Sequence, residues 1–255
     1  MDDHFSLGNF FFAAPYFFAT PMHEQTTENA NAQPHHISVR RTARYFTLGT
    51  LSPATREIWF VVHGYGQLAE YFIRHFRGLD DGTRYIVAPE GLSRFYVKEW
   101  TRVGASWITK EDRESEMDDY LEYLKSLEER IWGELEQSGG KRENVRIWTL
   151  GFSQGVTTLT RWIVLGGLLA DRLICWAGGF PAEIDLAAHK NLFERMKTTF
   201  VIGTEDEFIT PEGLAKQQAH IAEAGLHLDF VSFEGAHVMN TEVLKVTVEH
   251  LKNGL

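Results

Sequence analysis

With 255 residues, 44% hydrophobic and 24% charged, the chain is long enough for one large core, and single α/β domains reach this size. A net charge of −10 without clustered Lys and Arg argues against nucleic acid and anionic membranes as partners. The single cysteine, Cys175, excludes an internal disulfide, fits a reducing compartment, and reads as a buried structural thiol within RLICWAGG.

The N-terminal stretch NFFFAAPYFFAT (residues 9–20) is apolar, but Pro15 divides it and its leader MDDH is acidic where a secretory signal is basic. It is also too short to cross a bilayer as a helix. Polar, turn-prone HEQTTENANAQP follows. Residues 1–34 are therefore expected to form a flexible extension outside the core, with Met22 offering an internal start. Residues 35–255 are expected to form a single domain, in a cytoplasmic protein with no membrane span.

Next, ISVRRTARYFTL is rich in β-branched and aromatic residues and predicts one long strand or a hairpin. EIWFVVHG is a continuous apolar run ending in glycine, as a strand buried on both faces would be. LAEYFIRHF places Leu68, Phe72 and Phe76 at helical spacing, and RYIVAPEG reads as a second buried strand. Residues 92–112 hold Phe95, Tyr96, Trp100 and Trp107 with no clear period; they are expected to cap a site. Met117, Leu121, Leu124, Ile131, Trp132 and Leu135 then predict the clearest helix, stopped by Gly139-Gly140. After it come NVRIWTL (strand), QGVTTLTRWIVLGGLLA (helix), RLICWAGG and TTFVIG (strands), GLAKQQAHIAEAG (helix), LDFVSF (strand) and TEVLKVTVEHLKN (helix). This alternation predicts an α/β class, a mostly parallel central sheet flanked by helices on both faces. Ligands on such sheets bind at the carboxyl ends of the strands.

The residues expected at those ends carry the chemistry. Gly151-Phe152-Ser153-Gln154-Gly155 follows a predicted strand and opens a helix, which is the setting of a nucleophile elbow. A hydroxyl needs a base beside it, and the order Ser, acid, His is met downstream by Asp206 after one strand and His237 after the last. His220 and His250 fall within helical patterns; Glu205, Glu207, Glu183 and Asp185 are rival acids. The loop His63-Gly64-Tyr65-Gly66 offers an N–H at Tyr65 that, with the N–H of Gln154, would form an oxyanion hole. His63 itself reads as structural. No H-E-x-x-H stands in the chain, and His35-His36 has no carboxylate at ligand spacing, so metal-dependent hydrolysis is not expected.

Together HGYGQ, GFSQG, GTEDEFIT and GAH resemble the phospholipase/carboxylesterase family of α/β-hydrolases, which includes bacterial carboxylesterases and acyl-protein thioesterases. The resemblance runs from about residue 37 to the C-terminus. It implies Ser153 as nucleophile, Asp206 as acid, His237 as base, Tyr65 and Gln154 as oxyanion donors, Trp107 near the acyl pocket, and no metal or organic cofactor; Phe152 is expected as a second substrate contact. From the residues alone, Trp107 suits a core equally well. Tyr65 and Gln67 stand where the thioesterases have Leu and Asp in H-G-L-G-D; Ile108 and Thr109 replace the last pair of S-W-F-D, and Thr210 a common proline. The resulting expectation is a serine hydrolase of small or medium esters or thioesters. The alternatives are a non-catalytic binding protein of the same fold, or an acyltransferase or perhydrolase using the same triad.

Overall fold

The computed structural model describes residues 33–98 and 100–253. Residues 33–41 are exposed and carry no regular secondary structure. The expected extension, residues 1–34, lies outside the described residues apart from Gln33 and Pro34.

The fold begins with strand β1 (Tyr45–Leu48), then β2 (Glu57–Val62), a short helix α1 (Ala69–Phe72) running into a 3₁₀ segment (Ile73–Leu79), and β3 (Arg84–Pro89). A hairpin of β4 (Ser93–Val97) and β5 (Arg102–Ser106) leads to the long helix α2 (Arg113–Gln137). Next come β6 (Arg146–Phe152), α3 (Gln154–Val164), β7 (Arg172–Trp176), α4 (Lys190–Arg195), β8 (Lys197–Gly203), α5 (Pro211–Glu223), β9 (Asp229–Phe233) and α6 (Thr241–Asn253).

The main sheet has the order β1-β3-β2-β6-β7-β8-β9, parallel except for β1, which runs antiparallel to β3. Alternate residues of its strands enter two cores. Ile58, Phe60 and Val62 face one with α2 and α3; Trp59 and Val61 face the other with α1, the 3₁₀ segment and α6. This double burial is why the strands read as unbroken apolar runs. Strand order reverses between β2 and β6, so the loops after these two neighbours open at the sheet's switch point.

Four local expectations are corrected. The first long strand shrinks to β1, because its partner β3 ends at Pro89 opposite Tyr45. LAEYFIRHF is α-helical only over Ala69–Phe72 and continues as 3₁₀ from Ile73. The aperiodic stretch contains the β4–β5 hairpin, whose consecutive Phe95-Tyr96-Val97 hide the alternation, with Lys98 and Trp100 at positive φ near its tip. Helix α3 stops at Val164 rather than Ala170, followed by Gly167 at φ 79°.

Candidate active site

Ser153 sits between β6 and α3 with φ 53° and ψ −117°, a conformation that an L-residue adopts only when its surroundings hold it there. The flanking glycines allow the turn. A Cβ on Gly151 would lie 2.5 Å from the Gly155 carbonyl oxygen. One on Gly155 would overlap the Val62 carbonyl and come within 2.8 Å of that of His63. The elbow therefore packs directly on the end of β2, where the His63–Gly66 loop begins.

That loop is held from several sides. Gln67 Oε1 accepts the Gly64 N–H (2.8 Å), and the Gln67 N–H returns to the Gly64 carbonyl (3.2 Å). His63 is fully buried; its Nδ1–H donates to the Gly64 carbonyl (2.8 Å), leaving Nε2 to accept the Gly91 N–H (3.0 Å). Burial, more than any other influence, lowers the His63 pKa to about 4 against the opposing Gly64 bond, so the imidazole is neutral at pH 7. Beside it, buried Glu90 accepts from Arg44 (2.6 and 3.1 Å), Arg94 (3.1 Å) and the Ala69 N–H (3.3 Å). Burial pushes the Glu90 carboxyl upward, but the arginines outweigh it and hold the pKa below the ordinary value.

The Gln154 side chain bridges the elbow to the end of β5, a link that sequence reasoning missed. Its Oε1 accepts from the Trp107 N–H (3.1 Å), and its Nε2–H donates to the Ile108 carbonyl (2.8 Å). Among the described residues, neither the Gln154 nor the Tyr65 backbone N–H donates to a protein acceptor, so both candidate oxyanion donors are unspent.

Asp206 and His237 are brought together by the loops after the neighbouring strands β8 and β9. His237 Nδ1 lies 2.8 and 3.0 Å from the two Asp206 carboxylate oxygens. Asp206 Oδ1 also accepts the N–H groups of Phe208 (2.9 Å) and Ile209 (3.0 Å). Burial of Asp206 raises its pKa, but the His237 bond and these N–H groups win and keep it below the ordinary carboxylate value. An ionised carboxylate only accepts, so the proton of the Asp206–His237 bond sits on Nδ1.

Trp176, at the end of β7, ties this pair to the elbow. Its carbonyl accepts the Ser153 N–H (2.9 Å) and its indole N–H donates to the Val238 carbonyl (2.9 Å), next to His237. The Phe152 ring also lies 5.0 Å from the His237 ring. The only signal of Trp176's part was its position at a strand end.

Glu183 pairs with Arg161 (2.6 Å) and Arg113 (3.4 Å), Asp185 accepts the Ala188 N–H (3.0 Å), and His220 and His250 are exposed on α5 and α6. Glu205 and Glu207 are exposed, and the Glu207 carboxylate accepts the His237 backbone N–H at 3.4 Å. The two expected substrate contacts, Trp107 and Phe152, are core residues, 2% and 4% exposed. The Trp107 indole N–H is spent on the His63 carbonyl (2.9 Å) and its ring packs on His63 and Tyr120. Tyr65, by contrast, is 60% exposed, with its ring 5.0 Å from that of Phe95.

The sheet order, with Ser153 in the turn after the central strand β6 and Asp206 and His237 after β8 and β9, is that of an α/β-hydrolase fold. No family model and no curated protein matches the chain. Among solved structures it is similar to acyl-protein thioesterase 2 of Zea mays, at 14% identity and a TM-score of 0.59, covering 83% of this chain and 99% of that one. Esterase PE8 matches at 18% identity and 0.56, covering 84% and 100%. A carboxylesterase of Mesorhizobium loti matches at 16% and 0.58, covering 81% and 94%. At these identities the likeness is one of fold. Among the described residues, no helix is long and apolar enough to cross a membrane.

Proposed function

We propose that the chain is a serine hydrolase that cleaves carboxylic ester or thioester bonds of small or medium acyl substrates. The observation that carries this reading is the Asp206–His237 pair, joined at 2.8 Å and linked through Trp176 to a serine at φ 53°. In the proposed mechanism Ser153 Oγ attacks the acyl carbonyl carbon as His237 Nε2 takes its proton. Asp206 stabilises the imidazolium. The oxyanion accepts from the N–H groups of Tyr65 and Gln154. As the carbon–oxygen or carbon–sulfur bond breaks, Nε2–H protonates the departing alcohol or thiol and the acyl group stays on Ser153. Water then gives a proton to Nε2 as its oxygen adds to the carbonyl; the Oγ–acyl bond breaks, Nε2–H returns the proton to Oγ, and the acid departs from the restored serine.

The catalytic unit is taken as residues 35–255, acting without a cofactor on a small molecule. A cytoplasmic location is supported by the single cysteine, which is free and buried. The likeness in fold to an acyl-protein thioesterase and a carboxylesterase supports the reaction class. The test is hydrolysis of p-nitrophenyl acetate and longer acyl esters by wild type and Ser153→Ala, with fluorophosphonate labelling of both. Turnover and labelling that vanish together in the variant support the mechanism. A folded wild type that neither turns over nor labels favours a non-catalytic binding protein. A labelled chain that passes its acyl group to an added alcohol or peroxide in preference to water favours the transferase or perhydrolase reaction.

A further inference from the structure

We propose that Phe208 forms the leaving-group wall of this site and selects esters of uncharged aromatic or apolar alcohols over anionic ones. This inference rests on the hydrolase reading above. In that reaction the departing oxygen must lie beside His237, which protonates it, so the rest of the alcohol meets whatever surrounds the imidazole on its open side. Two phenyl rings flank His237. Phe152, at 5.0 Å, is 4% exposed and belongs to the core. Phe208, at 4.7 Å and 64° between planes, is 51% exposed.

The Phe208 backbone is anchored: its N–H donates to Asp206 Oδ1 (2.9 Å), the carboxylate bonded to His237, so the residue carrying this exposed ring is held at the Asp206–His237 pair. Val238, the residue after the base, is 49% exposed and extends the apolar surface.

Charge sets the second half of the preference. Residues 203–210 and 235–240, which carry the acid and the base, contain Glu205, Asp206 and Glu207 and neither Lys nor Arg. Glu207 approaches the His237 N–H at 3.4 Å. Arg94 bonds to Glu90 (3.1 Å) and Arg102 to the Gly66 carbonyl (3.4 Å), on the hairpin side. An anionic alcohol or thiol leaving beside His237 would thus face carboxylates, while an uncharged ring can stack on Phe208.

The experiment measures kcat and KM for benzyl acetate, ethyl acetate and 4-carboxybenzyl acetate with wild type, Phe208→Ala, Phe208→Leu and Glu207→Gln, alongside fluorophosphonate labelling. Comparing ratios between variants cancels the intrinsic reactivity of each ester. Phe208→Ala is expected to lower kcat/KM on benzyl acetate about tenfold, mainly through KM, and on ethyl acetate less than about twofold. Phe208→Leu should lose only about threefold on the benzyl ester. Wild type should prefer benzyl to 4-carboxybenzyl acetate by about tenfold, and Glu207→Gln should narrow that gap about threefold. Equal losses on benzyl and ethyl esters in Phe208→Ala, or a wild type indifferent to the carboxylate, would overturn the inference while leaving the hydrolase intact. A wild type that neither labels nor acts on any of the three esters would overturn the hydrolase reading itself, and this inference with it.

Discussion

Replacing Gln154 with Met tests whether its carboxamide braces the elbow. The substitution keeps side-chain length in a position only 8% exposed but removes both polar atoms. The Trp107 N–H then loses its acceptor at 3.1 Å, whereas the Ile108 carbonyl keeps the Ser106 hydroxyl donor at 3.0 Å. An orphaned buried N–H costs about 1–3 kcal/mol and the lost bond to Ile108 about 0.5–1.5 kcal/mol. Together these give a destabilisation of about 2–4 kcal/mol. For a chain of this size that lowers Tm by about 5–15 °C, read by circular dichroism. If the brace also aims the Gln154 N–H at the oxyanion, kcat on p-nitrophenyl acetate should fall about ten- to a hundredfold with KM within about threefold. A Tm within about 1 °C of wild type would refute the packing argument. A lowered Tm with unchanged kcat would confine the side chain to stability and separate it from the chemistry.

The elbow glycine gives a steric test: Gly155→Ala places a methyl against the Val62 carbonyl and within 2.8 Å of the His63 carbonyl, so β2 and its loop must move. We expect a loss of about 3 kcal/mol or more in chemical denaturation and loss of fluorophosphonate labelling; a variant as stable and as reactive as wild type would show that the close approach is unnecessary. His63 makes a pH test, because its folded pKa of about 4 lies below the ordinary value near 6.5, so the unfolded chain binds more protons between these limits. Its contribution is fully present above pH 6.5 and is lost as pH falls toward 4; between pH 7 and pH 5 the loss is about 2 kcal/mol. Urea titrations at the two pH values should therefore show a steeper decline for wild type than for His63→Gln, and parallel declines would refute the assignment.

What the sequence determined by itself was local or ordered along the chain. Unbroken apolar runs marked the buried strands, a heptad-like recurrence marked α2, and a glycine-flanked serine between strand and helix marked the elbow. The positions of Asp206 and His237 after strands were legible because strand ends can be read from where hydrophobicity stops. Which loops meet was decided by sheet order, and that is a tertiary fact. Adjacency of β2 and β6 sets Tyr65 beside the elbow's end of the sheet, and adjacency of β8 and β9 joins Asp206 to His237. The bridges that hold the site together span long stretches of chain. The Gln154 side chain meets Trp107 47 positions away, and Trp176 meets Val238 62 positions away. No periodicity or propensity encodes such pairings, since hydrogen-bond partners are chosen only once the strands have stacked. For the same reason the aromatic residues could not be sorted from sequence. An indole or phenyl ring serves a core or a binding surface equally well, and only packing buried Trp107 and Phe152 while leaving Phe208 exposed beside His237.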